Sequence, residues 1–302
     1  MAHAPHRHDP ANQHQDGGHH HAHTMDWTQL APHLEREGET AAPQYREIAR
    51  WIAASHPAPD RILDVGSGPG VVSCLLAEEF PEAVVSAVDP EEFLLARARQ
   101  RAERAGLTER VHTHRAELPD GLGTLEPAGL VWLGRSLHHV GDQRAALAAI
   151  AQRVAPGGVV ALLEGGLPTR VLPRDVGFGR PGLWSRIDAA EQDRFSAMRA
   201  ELPGSIRETE DWAALLASTG LKPGASRTFL LDRPAPLSDG DREFVIDTVR
   251  RRREMVTDVL DADDLATLDR LLDPDAPEGL ARRPDAFLLS AQTVHTAVAA
   301  PA

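Results

Sequence analysis

Three glycines at alternate positions behind a carboxylate, Asp64-Val65-Gly66-Ser67-Gly68-Pro69-Gly70, are the residues of this chain best suited by type and spacing to do chemistry. The apolar pair Ile62-Leu63 leads into them, and the residues beyond Gly70 read as a helix. Glycine is needed where a backbone turns sharply and lies against a ligand with no Cβ in the way. A glycine turn between strand and helix also aims free backbone N–H groups and a helix N-terminus at one point. Such a turn holds a nucleotide-type cofactor. It is not the dinucleotide fingerprint G-x-G-x-x-G, because Val71 stands where the third glycine of that pattern would fall.

A second anchor follows. The segment Ala83–Val88 reads as a short buried strand and ends in Asp89-Pro90. An acid closing the second strand of an α/β fold can accept hydrogen bonds from ribose hydroxyls; the plainer reading is a helix N-cap. Taken together, acid-x-G-x-G-x-G and the downstream Asp89 resemble the cofactor motifs of class I S-adenosylmethionine-dependent methyltransferases. Ala155-Pro156-Gly157-Gly158 before an apolar strand, and Leu130-Val131-Trp132-Leu133 leading into Ser136-Leu137-His138-His139, extend the resemblance over roughly residues 45–165. The resemblance implies S-adenosylmethionine as cofactor. Asp64, Gly66, Ser67, Gly68 and Gly70 would lie near its amino-acid end, Asp89 on its ribose and Pro90 near its adenine. The family often has an Asp-Ala pair after the third strand. Here the stretch His114-Arg115-Ala116-Glu117 puts arginine in the acid's place, so the adenine contact falls to Ala116 and Glu117, through the Glu117 side chain or a backbone carbonyl.

S-adenosylmethionine already carries an electrophilic methyl, so a methyltransferase mainly aligns a nucleophile with it and excludes water. A base is needed only when the nucleophile arrives protonated. Candidates in this chain are His138, His139 and Glu164, which would leave the fourth and fifth strands at the reacting edge. Imidazole titrates near neutrality and suits a base, but either histidine could equally cap the strand end, and Glu164 could orient substrate or cap a turn. The Asn/Asp-Pro-Pro-aromatic tetrapeptide of nucleic-acid amino methyltransferases is absent. Arg170, Arg174, Arg180 and Arg186, with Phe178 and Trp184, could receive a planar or carboxylated substrate, or could simply be surface arginines.

The elements that must position these residues alternate as in a doubly wound sheet. Strands are expected at Arg61–Val65, Ala83–Val88, Val111–Arg115, Leu130–Leu133 and Val159–Leu163, with helices near 70–79, 90–105 and 143–154. The resemblance adds a terminal reversed strand pair, for which Thr228–Leu231 and Phe287–Thr293 are the candidates. The expected fold is α/β, with a doubly wound, seven-stranded, mostly parallel sheet (Rossmann-like methyltransferase), N-terminal helices and helical insertions. It divides into a disordered His-rich leader (1–24), an N-terminal helical lid (25–57) broken near Gly38 and Pro43, a cofactor-binding core (58–165), and a region (166–302) of substrate-side insertions that completes the sheet.

Composition narrows the partners. The 302 residues are 42% hydrophobic and contain no apolar run of membrane-spanning length or export leader, which favours a cytoplasmic setting. A net charge of −13 disfavours nucleic acid, whose binding rests on phosphate neutralisation. The single cysteine, Cys74, reads as a small buried hydrophobe. Residues 1–24 hold eight of the fifteen histidines and read as a leader, with Met25 as an alternative start and only weak metal binding in vitro; no dedicated metal site is expected. The run Arg250–Arg253 reads as a solvated face balanced by Asp258, Asp261, Asp263 and Asp264. The sequence therefore points to methylation of an O or N atom of a small molecule or short peptide in a bacterial biosynthetic pathway, with a homodimer as the candidate assembly. The competing reading is a non-catalytic S-adenosylmethionine- or nucleotide-binding scaffold.

Overall fold

The structure is a computed structural model and describes residues 26–302. The histidine-rich leader and Met25 lie outside the described residues.

The chain opens with a long helix, α1 (Trp27–Ser55), capped by the Asp26 carboxylate, which accepts from Thr28 N at 3.0 Å. It runs unbroken through Gly38 and Pro43, contrary to the expected interruption. Gly38 is buried, and a Cβ there would lie 3.0 Å from the Val71 side chain, so this glycine lets α1 approach its neighbour. Ion pairs Glu35–Arg97, Glu39–Arg101 and Arg50–Glu79 hold the helix along its length. Tertiary anchoring of this kind outweighs local propensity.

Next come β1 (Arg61–Val65), α2 (Val71–Glu79), β2 (Val84–Asp89), α3 (Glu92–Arg104), β3 (Val111–Arg115), β4 (Ala128–Gly134) and α4 (Gln143–Ala151). They are followed by β5 (Val154–Arg170), α5 (Leu183–Glu201), α6 (Trp212–Ala217), β6 (Lys222–Arg233), α7 (Asp239–Met255), α8 (Ala262–Leu272) and β7 (Leu288–Val298). The seven strands form one sheet in the order β3-β2-β1-β4-β5-β7-β6. All neighbouring pairs from β3 to β5 are parallel, and β7 is antiparallel to both β5 and β6. The reversal is therefore confined to β7, where a reversed pair was expected. Strand β5 also runs well past Glu164, which sits at an irregularity between Leu163 and Gly166 rather than at the strand end.

One sheet face is covered by α1 and α2 with α5, α7 and α8, burying Ile48, Ile52, Leu76, Trp132, Ile187 and Val245. The opposite face packs α4 and α6 against Leu63, Val131, Leu133 and Leu162. Strand order reverses between β1 and β4, and ligands of open α/β sheets bind in the crevice at such a switch point, beyond the strands' carboxyl ends. Val65 lies opposite Val88 and Leu133 in register, so the glycine turn, Asp89 and the segment after β4 leave the sheet side by side.

Candidate active site

The turn after β1 is built on left-handed backbone: φ is +74° at Gly66, +53° at Gly68 and +77° at Gly70. Two of these glycines also allow close approach. A Cβ on Gly66 would lie 2.3 Å from Ser136 Cβ, and one on Gly70 would lie 2.6 Å from Ala98 Cβ. At Gly68 a Cβ would meet nothing within 4 Å, so that side of the turn opens into a cradle. Gly66 N and Ser67 N both donate to Val88 O, at 2.8 and 3.0 Å, tying the turn to β2. Ser67 Oγ is buried and has no protein partner. Gly70 caps α2 without a side-chain hydrogen bond, leaving the helix N-terminus open to the same space.

Two carboxylates brace the turn. Asp64 accepts from Ser73 Oγ at 2.5 Å beneath it, and burial pushes its carboxyl up to about 7. Asp89 accepts from Gly68 N and Glu91 N, each at 2.9 Å. Burial raises its carboxyl, with the two N–H bonds opposing. Pro90 is exposed, and its carbonyl accepts from Arg115 Nε at 2.9 Å, so the arginine standing in the expected acid's place folds back along β2. Ala116 N donates to Asp89 O at 3.2 Å, which sets Ala116 beside the acid; Glu117 is exposed, and its carbonyl accepts from Gly121 N at 2.7 Å.

Beyond β4 the chain makes a short 3-10 turn, Leu137–His139. Glu164, buried on β5, holds this turn: it accepts from Leu137 N at 3.1 Å and faces His138 Nδ1 at 3.1–3.2 Å. The His138 ring lies 4.2 Å from that of His139 and 5.6 Å from Phe195. Part of the His139 side chain reaches solvent, yet desolvation first and the neighbouring His138 second press it down to about 4. His139 is therefore neutral at physiological pH. The three candidate catalytic residues thus come together in one cluster at the carboxyl edge of the sheet.

Other residues of this cluster were missed in the sequence. Ser136 Oγ donates to Val65 O at 3.1 Å and supplies the small side chain that Gly66 must pass. Arg199 of α5 donates to the carbonyls of His138 and Val140, at 2.9 and 2.5 Å, pinning the turn from outside. Arg135 is the one non-glycine with positive φ, +55°, among the described residues, and pairs with Glu37 of α1. Burial opposes ionisation of Glu37, but the Arg135 charge and hydrogen bond hold its carboxyl low. Tyr45 is buried, meets Trp132 edge-on at 6.3 Å, and packs as a core aromatic.

The arginines expected to receive substrate in the insertion are engaged elsewhere. Arg170 pairs with Asp188, while Arg180 and Arg186 converge on Asp264. Trp184 is buried beneath the Arg252 guanidinium, 5.7 Å from its ring centre. The Arg250–Arg253 run does not form a uniform solvated face: Arg252 is buried against Asp188 and Glu191, Arg251 meets Asp247, and Arg253 meets Asp269. Length and periodicity reveal none of these partners, which come from distant parts of the chain. Arg174 and Phe178 lie on the segment before α5, with Phe178 beneath Arg270, 4.6 Å from its ring centre.

Residues 62–158 match the family profile described as a methyltransferase domain. Residues 62–158 form a methyltransferase domain of the class I, S-adenosylmethionine-dependent kind. Trans-aconitate 2-methyltransferase of Acidovorax ebreus (strain TPSY) is 33% identical over 126 residues, 42% of this chain and 45% of that protein. The enzyme of the same name from Methylobacterium nodulans is 33% identical over 175 residues, 56% of this chain and 62% of that protein. The chain thus spans about half the length of these curated relatives. In fold, the chain resembles a candidate methyltransferase of Bacillus halodurans C-125, with TM-score 0.52, 16% identity, and coverage of 84% of this chain and 98% of that one. The cofactor of such a domain is S-adenosylmethionine, and two local features suit it: the unpartnered Ser67 Oγ and the open cradle at Gly68. Among the described residues no three metal-ligating side chains cluster, and no helix is long and apolar enough to cross a membrane.

Proposed function

We propose that this chain transfers a methyl group to an O or N atom of a small molecule or short peptide, in the cytoplasm and within a bacterial biosynthetic pathway. The observation that carries the reading is the joint placement of the glycine turn, Asp89 and the His138–Glu164 pair at one switch point of the sheet. Bound S-adenosylmethionine supplies an electrophilic methyl on a sulfonium.

The chain's own residues would do the rest. Asp64, Gly66, Ser67, Gly68 and Gly70 shape the cradle for the amino-acid end; Asp89 accepts from the ribose, and Pro90, Ala116 and Glu117 border the adenine. Helix α1 serves as a lid over the turn, and residues 166–302 build the substrate side. With Nδ1–H donated to Glu164, an assignment from the hydrogen-bond network, His138 offers the Nε2 lone pair to the acceptor. That nitrogen takes a proton from a hydroxyl or ammonium acceptor, and Glu164 stabilises the imidazolium that results. His139, neutral beside it, contributes a wall rather than a charge.

Calorimetric titration of S-adenosylhomocysteine into the full chain tests the reading. Micromolar binding, weakened at least about tenfold in Asp89→Ala, is expected if two charge-assisted bonds to the ribose are lost. A folded wild-type protein that does not bind would overturn it.

A further inference from the structure

The mouth of the site is rich in carboxylates and has little positive charge to offer a ligand. Asp89 at the end of β2 and Glu164 on β5 stand there and Glu37 reaches it from α1, with Asp64 buried beneath the turn. Of the guanidinium groups bordering it, Arg135 is paired with Glu37, Arg97 with Glu35, and Arg101 with Glu39. Arg199 is turned onto backbone carbonyls of the turn after β4. Arg135 is the one that matters most, because it sits between Gly134 and Ser136 at the end of β4 and is directed to Glu37 from a left-handed backbone. Its partner comes from α1, so the pair is formed across the site, between the lid and the sheet edge.

A second observation concerns neutral polar groups on the same face. Trp132 is fully buried and its Nε1 has no partner; that nitrogen faces Gly134, where a Cβ would lie 3.1 Å away. Gln292 Oε1 is likewise buried without a partner, while its amide nitrogen reaches only 3.5 Å from Tyr45 Oη. A buried donor or acceptor left unpaired costs about 1–3 kcal/mol, so a ligand that satisfies it is favoured.

We infer that Glu37 is a specificity-determining residue: its carboxylate occupies the Arg135 guanidinium and so excludes carboxylated acceptors, leaving the site to a molecule without an anionic group. This rests on the methyl-transfer reading above. A substrate carboxylate would have to displace Glu37, leaving an uncompensated charge at the mouth, or bind beside Asp89, Glu164 and Glu37 with no cation of its own. An uncharged hydroxyl or carbonyl meets neither cost, and Trp132 Nε1 and Gln292 Oε1 are neutral groups left without a partner for one to satisfy. The relatives named for trans-aconitate provide the contrasting probe, a tricarboxylate.

The test is calorimetric titration of trans-aconitate into the full chain saturated with S-adenosylhomocysteine, for wild type, Glu37→Gln, Glu37→Ala, and Glu37→Gln combined with Arg135→Met. Both single variants are expected to bind trans-aconitate at least about tenfold more tightly than wild type, as one freed charge-assisted pair allows. The double variant should lose the gain. Wild type binding as tightly as the single variants, or a gain that survives loss of Arg135, overturns the proposal. So does an unchanged affinity in folded single variants, with folding checked by cooperative thermal unfolding. Wild type that fails to bind S-adenosylhomocysteine overturns the methyl-transfer reading itself, which the trans-aconitate titration alone does not address.

Discussion

Gly66 and Ser136 are neighbours across the top of the sheet with no room between them: a Cβ on Gly66 would sit 2.3 Å from Ser136 Cβ. The contact joins the glycine turn to the segment that carries His138. Gly66→Ala must both adopt φ +74° and push Ser136 aside. The backbone strain is about 1–2 kcal/mol, and overpacking adds about 1–3 kcal/mol. The variant should therefore show a lower melting temperature and S-adenosylhomocysteine affinity reduced at least about tenfold. Gly68→Ala, with open space at its Cβ, should lose affinity with a smaller change in melting temperature. Equal melting temperatures for wild type and Gly66→Ala would refute the steric account.

Asp64 makes stability pH-dependent. Its folded carboxyl titrates near 7, above its unfolded value, so the folded state holds the extra proton between about pH 4 and 7. Stability from this group is present at the acid end of that window and falls as pH rises through it. Urea unfolding at pH 5 and pH 7.5 should show a decline in wild type on the order of a few kcal/mol. Asp64→Asn, which keeps an acceptor for Ser73, should show less of it. A variant with the same pH slope as wild type would exonerate Asp64.

His139 shifts in the opposite sense. Its folded value lies near 4, below the ordinary imidazole value, so the unfolded chain takes up a proton first as pH falls. It therefore destabilises the fold progressively from about pH 6.5 down to 4. In an NMR titration the His139 ring signals should stay constant down to about pH 5 and then move. A midpoint near 6.5 would contradict the depression by desolvation and by the neighbouring His138.

Arg252 should be far more sensitive than its neighbours in the same arginine run. It is buried and bonded to Asp188, Glu191 and Thr169 O, whereas Arg250 is exposed with a single carboxylate contact. Removing one member of a buried charge cluster costs about 3–5 kcal/mol, and an exposed pair contributes about 0–1 kcal/mol. Denaturant unfolding should place Arg252→Met well below Arg250→Ala. Similar midpoints for the two would sink the distinction.

Local backbone demands made much of this protein legible from residue types alone. Left-handed turns require glycine, so Gly66, Gly68 and Gly70 reported their own geometry, and the strand before them and Asp89 after them followed from short apolar runs. The first five strands were readable for the same reason. What depended on distant partners was not. Pro43 and Gly38 read as a break, but ion pairs to α2 and α3 keep α1 whole. The single reversed strand β7, the bond from Glu164 to Leu137, and the pairing of Glu37 with Arg135 each join segments far apart in the chain. Sequence alone determined that a glycine turn follows the first strand and which residues form it, because a turn is encoded within a few residues. Tertiary structure decided which charges are paired and which are free, because an ion pair's partner is set by how helices pack on the sheet.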